Sequence, residues 1–379
     1  MKKKDIIISI VTLVLLITFV TSFNYFKTSN NYVEDSVNNQ TKITKRISMN
    51  LEQTAGAGDY KIVTQSNWPT EGYKFNTELS RCENGSEISW DDTKKAVIVS
   101  GNLSDKCYVY FDIYQPTLAE YIKSQYTGTQ GENSIYYHTS SLANGAGDNS
   151  YRYAGASDSV NNYICFGSTQ TPCPNANLFR IIGVFGDKTK VIRAKSVGNK
   201  QWNTSQVNTW SSSSLNTYLN GEYLTSLGTL ADKIATTTWK VGGGAQTNIM
   251  QTVPKIAYQY EVGSSSSSTT YAAKIGLMYV SDYYFASSPS AWTLMGYNSD
   301  ATKDYRAATS TNWLYLGSYE WAISRTSNTT NTAFGVSSTG YVSNYVVTTS
   351  NGVRPSFNLE SSVKYVSGSG SMSDPVRVN

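Results

Sequence analysis

The chain has 379 residues, of which 39% are hydrophobic and 15% charged, with 29 Tyr, 8 Trp, 4 Cys and one His. That is length for two or three domains with real cores and too little charge for a disordered polyelectrolyte, while a lone His138 excludes a multi-histidine metal site and a two-imidazole relay. The net charge of +4 sits in residues 1–46, where seven Lys and Arg face three Asp and Glu; the balanced remainder lacks the one-signed field of a nucleic-acid binder, so no nucleic-acid partner is expected.

Lys2, Lys3 and Lys4 precede an apolar run from Ile6 to Phe26. As a helix these residues would rise about 31 Å, the thickness of a bilayer's hydrocarbon core. We read residues 1–26 as a signal-anchor that leaves everything after it outside the cell membrane; a signal peptide cut near Thr21 or Ser22 is the alternative, and both predict export. Residues 27–57 are Asn- and Thr-rich, run into the stretch Ala55-Gly56-Ala57-Gly58, and read as a polar stalk.

Residues 58–115 carry strand patterns at Asp59–Thr64, Lys94–Ser100 and Cys107–Ile113, separated by turn clusters at 83–86 and 101–105, and predict a small β-sandwich. The period changes at residues 116–133. Thr117 with Glu120 makes a capping-box pattern before Leu118, Tyr121, Ile122 and Tyr126, which predicts a connector helix stopped at Gly128. From residue 134 to 379 the signals are mixed. Leu178–Phe185 and Lys190–Ala194 read as a hairpin around Gly186-Asp187, and Ser213–Leu219 as a helix ended at Gly221. Strands are expected at Ile275–Val280, Trp313–Leu316, Tyr319–Ser324, Ala333–Val336, Tyr341–Val347 and Val353–Leu359, an α+β pattern without βαβ alternation.

All four cysteines follow the anchor, in keeping with an oxidising compartment. Three pairings are possible; the local one, Cys82–Cys107 and Cys165–Cys173, closes the shortest loops. A zinc site is the rival, but no Cys-x-x-Cys knuckle is present, and neither a metal nor a cofactor is expected.

The segments Asn177–Phe185, Thr209–Asn220, Lys274–Asp282 and Gly352–Phe357 resemble an uncharacterised domain of surface and secreted Firmicutes proteins, similar in layout to the C-type-lectin-like fold shared with sulfatase-modifying factors. The resemblance covers about residues 134–379 and implies a scaffold for variable loops. Formylglycine-generating relatives use a late cysteine pair to bind copper, whereas the last cysteine here is Cys173. The Glu-Pro-Asn, Gln-Pro-Asp and Trp-Asn-Asp triplets of calcium-dependent lectins are also missing. Arg354, in Gly352-Val353-Arg354-Pro355, resembles a framework arginine of that domain.

No nucleophile elbow, phosphate loop, His-Glu-x-x-His or dinucleotide fingerprint occurs, and His138 stands without a companion base or nucleophile. A glycosidase would need two carboxylates across a cleft, for which Asp282 and Glu320 are the tempting pair; the plainer reading has Asp282 ordering a turn and Glu320 pairing with Arg325. Aromatic residues are the positive signal. Six of eight Trp lie between Trp202 and Trp321. Trp210, Trp239, Trp313 and Trp321 sit in core-like segments, whereas Trp292, in the loop Ser288–Trp292, and Tyr283, Tyr284 and Tyr319 are candidate binding rings beside Asp282 and Glu320. The expectation is an anchored, non-enzymatic, adhesin-like surface protein whose ligand is a glycan or protein; a glycan hydrolase using Asp282 and Glu320 and a structural envelope spacer are the alternatives.

Overall fold

The computed structural model describes residues 47–379 except 65–67, 70–71 and 103–104. The chain splits between Gln115 and Pro116 into two compact units.

In the first unit the described strands are β1 (Ile47–Glu52), β2 (Tyr60–Val63), β3 (Tyr73–Phe75), β4 (Arg81–Cys82), β5 (Glu87–Asp91), β6 (Ala96–Ser100) and β7 (Cys107–Ile113). One sheet runs β2-β1-β7-β3, with β4 also on β7, and β5–β6 is a separate hairpin. β1 lies within the segment read as stalk. It is a core strand because Met49 and Leu51 alternate and, with Val109 and Phe111 of the parallel β7, form the buried cluster on which Trp90 of the hairpin packs. The Cys82–Cys107 disulfide joins facing residues of β4 and β7.

The second unit opens with α1 (Leu118–Ser124), whose buried Leu118, Ala119 and Ile122 lie on one face. The capping box is present: the Glu120 backbone N–H donates to Thr117 Oγ1 at 3.1 Å and the Thr117 N–H donates to Glu120 Oε2 at 2.8 Å. Next come β8 (Ile135–Tyr137), β9 (Tyr151–Tyr153), β10 (Tyr163–Cys165), β11 (Leu178–Phe185), β12 (Lys188–Arg193) and β13 (Asn199–Gln201). A short helix, α2 (Ser214–Tyr218), does not end at Gly221 but continues through wider turns to Ser226. β14 (Thr237–Lys240), α3 (Pro254–Glu261), β15 (Thr270–Ala273) and α4 (Val280–Phe285) follow, and then β16 (Glu320–Arg325), β17 (Thr332–Val336), β18 (Val342–Val346), β19 (Ser350–Gly352), β20 (Ser356–Asn358), β21 (Tyr365–Ser367) and β22 (Val376–Val378). One sheet has the path β20-β12-β11-β10-β22-β21, joined through β11 by β9 and β8, and a second runs β13-β19-β16-β17-β18. They share one large core containing five fully buried Trp. The Cys165–Cys173 disulfide closes a loop after β10, so the local cysteine pairing is the one present; two disulfides are consistent with an extracellular protein.

Two expectations are corrected. The α+β C-type-lectin-like assignment gives way to a β-rich architecture in which the longest α-helix among the described residues, α3, has 8 residues. The membrane-spanning helix expected at Ile6–Phe26, and with it the single-pass location, is not supported. That segment lies outside the described residues, and among the described residues no helix is long and apolar enough to cross a membrane.

Candidate functional site

A cavity of about 340 Å³ opens in the second unit where four chain segments meet. Tyr121 of α1 and Gln125, the residue that caps its C-terminal end, stand one turn apart at the edge of the face that buries Leu118 and Ile122. The Tyr121 ring lies flat on Tyr365 of β21, centroids 3.6 Å apart and 8° from parallel. Burial, followed by the neighbouring Tyr365 phenol, pushes the Tyr121 phenol up to about 12, so it remains a neutral donor and acceptor.

The second wall is the turn before β8, with Gly131, Asn133 and Ser134 in the lining. All three have positive φ, at 86°, 52° and 61°. Gly131 adopts this without cost and Asn tolerates it, but Ser does so only under local constraint. The constraint is visible: Asn133 Nδ2 donates to the Gln125 carbonyl at 2.8 Å, and the Ser134 N–H donates to the Gly131 carbonyl at 3.0 Å. Strained non-glycine residues concentrate at ligand clamps, and two of the five non-glycine residues with positive φ among the described residues fall here.

Tyr153 of β9 and Val376 of β22 are the buried lining residues, and the loop to β10 adds Ser159 and Asn161. The C-terminal loop brings Ser369 and is held against this wall, with the Tyr163 N–H donating to the Gly370 carbonyl at 2.8 Å. At Gly370 a Cβ would come 2.5 Å from the Asn161 carbonyl, so glycine permits the approach. Every lining residue is uncharged. The cavity thus offers amides, hydroxyls and two phenols in a fixed frame, a set that hydrogen-bonds hydroxyl-rich, uncharged ligands and provides no acid, base or nucleophile pair.

The residues singled out in the sequence go elsewhere. Trp292, Tyr283 and Tyr284 are fully buried, and their polar atoms are used internally: Trp292 Nε1 donates to the Ser287 carbonyl, Tyr283 to Gly340 and Tyr284 to Ile249. Trp292 packs against Phe285, Tyr136 and His138 in a satellite cluster, because the loop Pro289–Thr293 folds back as a 3-10 turn. Tyr319 alone of these rings is well exposed, at 47%, edge-on to Tyr345.

Asp282 is not after a strand, as expected, but inside α4, where Oδ2 accepts the Tyr279 N–H at 2.8 Å and lies 2.5 Å from Lys190 Nζ. Arg152 Nη1 stands 3.6 Å from its other oxygen and pairs with Asp148 at 2.7 Å. Glu261 accepts from the Val280 and Ser281 N–H groups, both at 2.8 Å, and from the Ser324 hydroxyl. Burial pushes the Lys190 ammonium down and the Glu261 carboxyl up. Glu320 pairs with Arg354 at 2.6 Å rather than with Arg325, and burial raises its pKa while the guanidinium opposes the rise. Asp282 and Glu320 are thus each held in a buried ion pair with different partners. Among the described residues no group of three or more His, Cys, Asp or Glu is placed to hold a metal ion.

None of the cavity residues was singled out in the sequence. The legible hint was the capping box at Thr117, which starts the helix that carries Tyr121 and leads into Gln125; nothing local announces that residues 131–161 and 369–376 converge on them.

Residues 186–361 are similar to the family described as a domain of unknown function, DUF6273. All the residues lining the cavity lie outside that stretch. No curated protein matches the chain, and no solved structure does.

Proposed function

We propose that the protein acts outside the cytoplasm as a non-enzymatic, adhesin-like binding protein, and that its second unit takes a carbohydrate ligand in the cavity between α1, the 131–134 turn and the C-terminal loop. The observation that carries this reading is the cavity lining: the half-buried Tyr121 ring, backed by Tyr365, beside Gln125, Asn133, Ser134, Ser159, Asn161 and Ser369, with no charged side chain. Its volume, about 340 Å³, falls at the lower end of the roughly 300–1,000 Å³ typical of small-ligand sites. The two disulfides support an oxidising location.

The test is saturation-transfer NMR and calorimetry of the oxidised protein against neutral saccharides. Asn161→Ala is the discriminating variant, since Asn161 is exposed and its side chain makes no hydrogen bond in the fold among the described residues. Saturable binding weakened about fivefold or more by that change supports the reading, in line with roughly 1 kcal/mol for a hydrogen bond. Absence of binding at millimolar saccharide, or binding indifferent to Asn161→Ala and Tyr121→Ala, removes it.

A further inference from the structure

Beside the cavity lies a cluster of three tyrosines. Tyr137 of β8 and Tyr151 of β9 are cross-strand partners, stacked with centroids 4.3 Å apart and 12° from parallel. Tyr126, just past the end of α1, stands edge-on to both, at 5.9 Å from Tyr137 and 5.7 Å from Tyr151. All three are half-buried.

The cluster is continuous with the cavity through two covalent links. Tyr151 and Tyr153 are two apart on β9 and therefore share a face, their Cα atoms about 7 Å apart. Tyr153 lines the cavity and Tyr151 belongs to the stack. Gln125 and Tyr126 are consecutive, one in each. The rings are also held in place before any ligand arrives. Gln130 spans the Tyr137 backbone, its Oε1 accepting the Tyr137 N–H and its Nε2 donating to the Tyr137 carbonyl, both at 2.9 Å. The Tyr126 hydroxyl donates to the Gly128 carbonyl at 3.2 Å. Preorganised rings lose little freedom on binding.

The charges at the edge of the cluster are already engaged. Lys123 Nζ, 6.0 Å above the Tyr151 ring, donates to the Gly186 carbonyl at 2.7 Å, and Glu132 accepts from the Thr127 hydroxyl. No arginine or lysine lines the cavity itself. A carboxylate or sulfate entering it would lose hydration without gaining a counter-charge, which is costly.

From these observations, and resting on the carbohydrate reading above, we infer that the cavity is one end of an extended site for an uncharged oligosaccharide, in which Tyr126, Tyr137 and Tyr151 form a second, stacking subsite for the next sugar units. The cavity takes one ring by hydrogen bonds. The tyrosine cluster takes its neighbours by their apolar faces and supplies added affinity without reading hydroxyl positions.

The experiment is calorimetric titration of the oxidised full chain with the mono-, di- and tetrasaccharide of one neutral series, and with a uronate-containing tetrasaccharide of matched length. The expected result is affinity that rises about tenfold or more from mono- to tetrasaccharide, with the uronate at least tenfold weaker. Tyr137→Ala lowers tetrasaccharide affinity about fivefold and leaves the monosaccharide unchanged, as removal of one aromatic contact implies. Tyr126→Ala, placed after the helix and outside the strand pairing, gives the same pattern and serves if Tyr137→Ala lowers the thermal midpoint. Equal affinity for mono- and tetrasaccharide overturns the second subsite while leaving the carbohydrate reading intact. Comparable binding of the uronate overturns the uncharged class. Failure of every saccharide removes both this inference and the reading on which it rests.

Discussion

The single histidine makes the second unit's acid sensitivity a test of its packing. His138 is fully buried, with its ring perpendicular to Phe285 at 4.8 Å and tilted against Trp292 at 5.1 Å. Nδ1 accepts the Ala146 N–H at 3.0 Å, so the hydrogen of the neutral ring sits on Nε2, which has no partner. Burial, reinforced by the Arg152 guanidinium and opposed by Asp148, depresses its pKa to about 3 from an ordinary 6.5. The unfolded chain therefore takes up a proton near pH 6.5 that the native state refuses, and stability is complete above that pH and lost as pH falls towards 3. The slope is about 1.4 kcal/mol per pH unit, so lowering pH from 7.5 to 5.0 costs about 2 kcal/mol from this group alone. Glu261 and Glu320, raised by burial, bind their protons more readily in the native state and act in the opposite sense just above the ordinary carboxylate range. A difference measurement removes them. Urea unfolding followed by tryptophan fluorescence at both pH values, for the native chain and for His138→Asn, isolates the imidazole; Asn keeps an acceptor near Nδ1 and does not titrate. The native midpoint falls with pH by about 2 kcal/mol more than the variant's, and the imidazole NMR signal stays neutral down to pH 4. An imidazole titrating near 6.5, or equal pH dependence in the two proteins, refutes the buried, proton-refusing ring.

Three further outcomes follow from the same packing. Trp292→Ala should remove about 3–5 kcal/mol of stability and lower the thermal midpoint, because it empties the cluster formed with Phe285 and Tyr136; a variant as stable as the native chain with lost ligand binding would restore Trp292 as a surface residue. Glu320→Ala strands the buried Arg354 guanidinium and should cost roughly 3–5 kcal/mol in denaturant titrations, whereas Glu320→Gln retains hydrogen bonding and costs less; equal losses would show that charge pairing is immaterial there. Thiol labelling of the denatured, unreduced protein should find no free cysteine, and reduction should cost about 3.5 kcal/mol for Cys82–Cys107 and about 2.5 for Cys165–Cys173 in the chain-entropy model; four labelled thiols would contradict both bridges.

Local features of the sequence carried through to the structure where the forces concerned are local. The capping box Thr117–Glu120 starts α1 as its spacing requires, the hairpin around Gly186-Asp187 joins β11 and β12, and cysteines 25 and 8 residues apart are joined within their own loops. Segments whose fate depends on partners far along the chain did not carry through. Ile275–Val280 has a strand's composition, yet only Gly276 bridges to Ser356, and Glu261 meets the Val280 and Ser281 N–H groups to begin α4 instead. Trp292 looks like a loop ring because its neighbours are Ser, Pro and Ala, and it is buried because Phe285 and His138, from other segments, wait beneath it.

What the sequence determined by itself is a neutral body, four cysteines at spacings that pair locally, and an abundance of aromatic and hydroxyl side chains. Which of those aromatics remain at the surface was decided by tertiary structure alone. Five Trp of the second unit were drawn into its common core and Trp292 into a satellite cluster, where burying their area is most favourable, and the smaller Tyr121, Tyr126, Tyr137 and Tyr151 were left half-exposed. The cavity beside them exists because strand pairing of β10 with β22 brings residue 376 next to residue 164, a proximity no window along the chain can register.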